Sequence, residues 1–238
     1  MHNRGLQASI MLMVGGAFWG LLWIPLRIME EQGLHGAWPT LIAYGAPSLI
    51  LIPLSLIRWR TISQKWLTIL VVGLFCGASF SLYGIAVLLT EVSRVILLFY
   101  LTPVWGTMIG VFLLKERLTV RRVLALSAGL IGMLIVLDLG VKLPWPRNVG
   151  DWMAFAAGVT WACGSTALYQ SSGVKAIDQI SSFVIGGVVF TALIMALAWG
   201  SLGGMPETEA LTGSLPTSAL MALMIPPFLL ITIVPATL

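Results

Sequence analysis

Charged residues are scarce in this chain of 238 residues. Asp, Glu, Lys and Arg together make up 9% of it, against about 25% in a soluble domain. That shortage excludes a water-facing surface over most of the molecule. Histidine occurs twice, at His2 and His35, and neither lies deep in an apolar run. There is no H-E-x-x-H, no phosphate loop and no carboxylate pair deep in an apolar run. Hydrolytic and phosphoryl chemistry therefore have few residues to work with. Cysteine also occurs twice. Cys76 and Cys163 both fall inside apolar runs and are too widely spaced for a metal motif, so packing is their expected role. No metal site and no other cofactor is expected.

What fills the chain instead is apolar: 58% of its residues are hydrophobic. A hydrocarbon core about 30 Å thick needs roughly 20 apolar residues per helix. Runs of that size recur at 7–28, 38–57, 66–89, 92–114, 120–137, 151–170, 180–199 and 216–237. Each must be helical, because lipid offers no partner to open backbone groups and the alternation of barrel strands is missing. The expected fold is an all-α polytopic membrane protein with eight transmembrane helices present, joined by connections too short to hold a soluble domain. Arg4 precedes the first run as it would in a signal peptide. That run is longer than a signal's apolar region, however, and further runs follow it.

The basic residues sort by side. With the N-terminus inside, the inner set is Arg4, Arg58, Arg60, Lys65, Lys115, Arg117, Arg121, Arg122 and Lys175. The outer set is Arg27, Arg94, Lys142 and Arg147. Nine against four puts the N-terminus in the cytoplasm by the positive-inside rule. The acids Glu30, Glu31, Glu91, Asp138, Asp151, Glu207 and Glu209 fall outside. The net charge of +4 thus reflects topology and points to no nucleic-acid partner.

A short internal repeat is legible. "GAFWG" at 16–20 has a counterpart in "GVTWA" at 158–162, with Trp19 and Trp161 offset by 142 residues. The copies lie in the first and sixth runs, so the second unit would sit inverted relative to the first. The expected units are 7–139, with five helices, and 143–238, with three. The same offset carries Pro103 to about position 245 and Glu116 to about 258, past Leu238, so the second repeat is expected to be truncated. A complete eight-helix protein is the alternative.

The stretch "TPVWGTMIGVFLLKERLTVRRVLALSAGLIGMLIVL" at 102–137 resembles the EamA-type repeat of the drug/metabolite transporter superfamily. It carries a proline midway through the fourth helix, Pro103, and a glutamate just past that helix, Glu116. A fifth helix with spaced glycines, Gly129 and Gly132, follows, and "FWG" at 18–20 fits the first helix. The resemblance covers the first repeat and the first three helices of the second. It implies ten helices in two inverted five-helix repeats. It also implies export of small organic metabolites or drugs, with the lipid bilayer and a small-molecule substrate as partners; the scaffold is specified far better than the substrate.

Several residues stand out within this frame. Pro103 removes a helical hydrogen bond and frees the carbonyl near Phe99, for which Thr102 and Tyr100 are the nearest helpers. The kink either flexes beside a central cavity or is a static bend. Glu116 is expected to pair with Arg121 or Arg122, or to cap the fifth helix near Thr119, with an inner-gate role as the alternative. The pairs Gly16/Gly20, Gly73/Gly77 and Gly106/Gly110 read as helix-packing devices. Trp38, Trp59, Trp66, Trp145, Trp152 and Trp199 lie near span ends and suit an interfacial belt. Trp19, Trp23, Tyr44, Tyr83, Tyr100 and Trp161 are the candidates for lining a substrate cavity, with helix packing as their other reading. Arg27 and Arg94 sit near the outer ends of their spans. They either snorkel, Arg94 pairing with Glu91, or attract a substrate carboxylate at the outer mouth.

No Asp, Glu, Lys or His occupies the middle of a run, so no proton relay is visible. The composite reading is a secondary transporter, an exporter of amino-acid-like or drug-like metabolites across a bacterial cytoplasmic membrane. A non-transporting membrane partner or a small-solute channel is the alternative.

Overall fold

The computed structural model describes residues 2–136, 145–170 and 173–233, without the side chains of 2–5, 7, 8, 12 and 227–233. Asp138 and Lys142, the 139/143 boundary between the expected repeats, and the ends of the fifth and eighth expected runs lie outside the described residues. Among the described residues every regular element is a helix. The first half of the chain forms α1 (His2–Leu21), α2 (Trp23–Glu31), α3 (Trp38–Ile57), α4 (Trp59–Gln64), α5 (Trp66–Leu89), α6 (Val92–Phe99), α7 (Thr102–Phe112) and α8 (Val120–Val136). The second forms α9 (Val149–Gln170), α10 (Ala176–Leu197), α11 (Trp199–Leu202), α12 (Thr208–Gly213) and α13 (Leu215–Ile233).

The expected runs at 38–57 and 66–89 coincide with α3 and α5 to the residue. Two others are each split into two helices. Pro25 cannot donate to the carbonyl four residues back, and its ring crowds that turn. The first run accordingly breaks at Leu22, between α1 and α2. The fourth breaks at Tyr100–Leu101, with Pro103 the second residue of α7.

The expected count of eight spans is larger than the set that qualifies. Among the described residues, Ser9–Glu31, Trp38–Ile57, Trp66–Leu89, Val92–Phe112 and Ala176–Leu197 are long and apolar enough to cross a membrane. The described part of α8 is 17 residues long and carries Arg121 and Arg122 in its first turn. The helix α9 is long enough, but Asp151 and its many Ala, Gly and Thr residues dilute it. In α13 the apolar stretch Leu215–Pro226 is described with its side chains, and apolar residues continue to Ile233.

The helix α5 is the hub. It packs along α9 and across α10, while α13 packs on α1 and α3, and α3 packs on α10. Glycines permit the closest approaches. A Cβ on Gly77 would meet the Gly186 backbone at 2.5 Å, and one on Gly164 would meet Cys76 Sγ at 2.5 Å. The other expected glycine pairs behave differently: Gly16, Gly20 and Gly106 have open space where a Cβ would stand. Their helices do pack, α1 on α13 and α7 on α9, but these three glycines are not at the points of contact, whereas Gly110 stands against Glu116. The helix α8 makes only marginal contact with the rest of the bundle. Cys76 and Cys163 are free thiols.

The turn between α2 and α3 is anchored where Ala37 N–H donates to the Leu202 carbonyl at 2.9 Å. Gly36 beside it has φ of +66° and touches the Leu202 backbone. Only a residue without a Cβ fits both the conformation and the space.

Candidate functional site

The bundle centre is a cluster of aromatic rings contributed by six helices. Phe80 of α5 stands in the middle. Trp19 of α1 lies 4.2 Å from it between centroids, Phe183 of α10 at 4.1 Å, Trp161 of α9 at 5.5 Å and Tyr44 of α3 at 6.1 Å. Trp19 also meets Tyr83 at 5.0 Å and Phe99 of α6 at 5.9 Å, and Tyr83 meets Phe99 at 5.1 Å. The tilted and edge-on arrangements let the positive edge of one ring meet the negative face of another.

Four of the six aromatic candidates read from sequence, Trp19, Tyr44, Tyr83 and Trp161, converge here. Trp23 packs, half-buried, against the adjoining apolar group that includes Tyr83 and Val95. Tyr100 sits at the break between α6 and α7, 6.3 Å from Phe99 and 48% exposed. Phe80, Phe99 and Phe183 complete the cluster and were not singled out. Phenylalanine is an ordinary residue of an apolar run, and nothing in its spacing separates a central ring from a lipid-facing one. Tyr44 and Tyr83 are each 2% exposed. The rings therefore fill the centre by packing on one another. A groove of about 260 Å³ between α1, α2 and α13 and a cleft of about 430 Å³ between α5 and α10 lie around the cluster.

The helix break beside this cluster has its own chemistry. Thr102 Oγ1 donates to the Phe99 carbonyl at 2.6 Å, which satisfies an acceptor that Pro103 leaves without its helical donor. Gly158 of α9 faces the same spot, where a Cβ would stand 3.0 Å from that carbonyl. Glu116 Oε2 accepts from Arg122 Nη1 at 2.5 Å on an exposed surface.

Each end of the bundle carries a buried carboxylate held by arginine. At one end, Asp151 in the first turn of α9 accepts from Arg94 Nη2 at 2.5 Å, Thr90 Oγ1 at 3.0 Å and the Arg147 N–H at 2.9 Å. Asn148 Oδ1 accepts the Asp151 N–H at 2.8 Å and so caps α9. Arg27 at the same end donates to Glu30 Oε2 at 2.8 Å and to the Thr90 carbonyl at 3.1 Å. Arg94 thus bridges to Asp151 across the fold and leaves its near neighbour Glu91 aside, because the N-termini of α6 and α9 meet here. At the other end, Asp178 of α10 receives Arg58 bidentately at 2.6 and 2.7 Å.

Several apolar membrane-spanning helices around a core of aromatic rings define a multi-pass integral membrane protein. Residues 6–138 match the EamA-like transporter family. The chain belongs to that family, within the drug/metabolite transporter superfamily of small-solute transporters. No curated protein and no solved structure matches it.

Proposed function

We propose that this protein is a secondary carrier that exports small organic metabolites, amino-acid-like or drug-like, across a bacterial cytoplasmic membrane by alternating access. The observation that carries the reading is the central cluster, where rings from both expected repeats, 7–139 and 143–238, meet. Its neutral, aromatic lining suits a partly apolar solute, which would enter as the rings part. Trp19, Trp23, Tyr44, Tyr83, Tyr100 and Trp161 are the proposed contacts.

The packing supports two inverted repeats. If α1, α3 and α5 correspond to α9, α10 and α13, exchanging them turns the α5–α9 contact into α13–α1. It turns α5–α10 into α13–α3 and leaves α3–α10 unchanged, and all of these contacts exist. Trp19 and Trp161 then become equivalent residues that both contact Phe80. Eight membrane spans with the N-terminus cytoplasmic follow from the apolar runs and the charge bias. Pro103 is the proposed flexing point, since the Thr102 hydroxyl keeps the nearby carbonyl satisfied on bending. Arg27 and Arg94 would mark the outer mouth, and Glu116 would steady the cytoplasmic start of α8 through Arg122.

The test is to overexpress the gene and profile extracellular metabolites by mass spectrometry. Trp19→Ala, verified at equal membrane abundance, is the matched control. Selective accumulation outside the cells, lost in the variant, is the expected result. Accumulation unchanged in Trp19→Ala removes Trp19 from the site. No accumulation from the intact protein, with reconstituted vesicles also inactive, overturns the carrier reading.

A further inference from the structure

The cleft between α5 and α10 faces outward and has no role in the central site. Its volume is about 430 Å³ and its apolar wall includes Leu70, Leu74, Ile185 and Val189. Leu70, Leu74 and Val189 are all exposed, and they belong to the two most apolar spans, so the cleft opens sideways to hydrocarbon. Its depth comes from Gly73 and Gly186, whose backbones touch where the helices cross. The Ser182 hydroxyl is the side-chain group nearest Gly73 there.

The two ends of the cleft differ. Trp66 opens α5 at the mouth, and Leu74 lies eight residues deeper, about 12 Å along the helix axis. Ser55 and Asp178 line the mouth, together with Ile62 of α4, and Ser182 stands opposite Gly73. The Asp178 carboxylate is neutralised by the bidentate Arg58. The Ser55 hydroxyl donates to the Leu51 carbonyl at 2.7 Å, and that of Ser182 donates to the Ile69 carbonyl. Arg60 lies on α4 and Lys65 at its C-cap. Neither has an ion-pair partner among the described residues. Both are exposed and lie within two residues of the lining residues Ile62 and Trp66, so uncompensated positive charge flanks the open end of the apolar slot.

We propose that this cleft is a binding site for an anionic phospholipid, with one acyl chain between α5 and α10 and the phosphate held near Arg60 and Lys65. Charge complementarity at the mouth and lateral opening to hydrocarbon identify the occupant as a lipid. A soluble anion would have no use for the slot, and an uncharged lipid none for the cations. Basic pockets between membrane helices hold anionic headgroups in this way. The site is independent of the transported substrate.

The test is native mass spectrometry of the full chain in an uncharged detergent. Phosphatidylglycerol, phosphatidylcholine of the same chain length, or inorganic phosphate is added. One phosphatidylglycerol retained at about thirtyfold preference over phosphatidylcholine is expected, on the scale of two nearby cations. Arg60→Gln with Lys65→Gln should abolish the preference. Val189→Trp and, separately, Leu74→Trp should fill the slot and release the lipid; both positions are exposed, so folding should be unaffected, as circular dichroism would check. Equal retention of both lipids, full retention in both tryptophan variants, or equal binding of inorganic phosphate overturns the proposal. So does a dimer that both tryptophan variants split without changing lipid retention, because a second copy would then occupy the cleft.

Discussion

Two glutamate- or aspartate-to-arginine pairs of equal length should differ sharply in worth. Asp151 is fully buried and Arg94 is 15% exposed, whereas Glu116 and Arg122 are 46% and 40% exposed. An exposed pair is screened and contributes below about 1 kcal/mol. Removing one partner of a buried pair leaves a charge without its counterion and costs roughly 3 kcal/mol. Asp151→Asn should therefore lower the melting temperature in detergent distinctly, and Glu116→Gln should barely move it. Equal shifts would mean that Arg94 finds water as readily as Arg122 does. The Glu116–Arg122 pair was among those legible in the sequence, because six residues of local chain connect the partners. The Arg94–Asp151 pair was not legible: spacing favoured Glu91, and only the fold brings a residue 57 positions away within reach.

The same contrast holds for helices. Gly77 and Gly16 both belong to glycine pairs four residues apart, and the sequence treats them alike. In the fold, a methyl group at Gly77 collides with the Gly186 backbone, and one at Gly16 meets nothing within 4 Å. Gly77→Ala should push α5 and α10 apart and cost about 1–3 kcal/mol as overpacking. Gly16→Ala should stay within about 0.5 kcal/mol of the parent. Thermal unfolding of the two purified variants would check this, and a Gly77→Ala protein as stable as the parent would show that the helices can slide past the clash. Helix breaks were partly legible for the same local reason. Pro103 marks one openly, while the break at Leu22 hides in a run where Pro25 lies near the end.

At the scale of the whole molecule, the proposed orientation predicts which face an impermeant thiol reagent reaches. On a background lacking Cys76 and Cys163, Thr208→Cys on α12 should label in intact cells, and Ser63→Cys on α4 only after lysis. The reverse pattern would invert the topology. The bundle's two ends are separately held, by Arg94–Asp151 and by Arg58–Asp178, and both bridges join the first half of the chain to the second. That arrangement depends on α5 running between α9 and α10, a topology no local pattern announces.

The sequence by itself determined the solvent and most of the elements. Length and hydropathy of a run decide whether a helix can span hydrocarbon. Pro25 and Pro103 lie just past two helix breaks, although Pro47 and Pro53 sit inside unbroken α3, and the charge pattern suggests direction. These are properties of contiguous residues. The matched stretch from 6 to 138 likewise carries its family in local motifs. Tertiary structure alone decided which rings meet, which glycines touch a neighbour and which arginine holds which carboxylate. In an apolar chain every helix face is greasy, so hydrophobicity does not choose partners. Shape and the few buried polar groups do, and both exist only once the helices have packed.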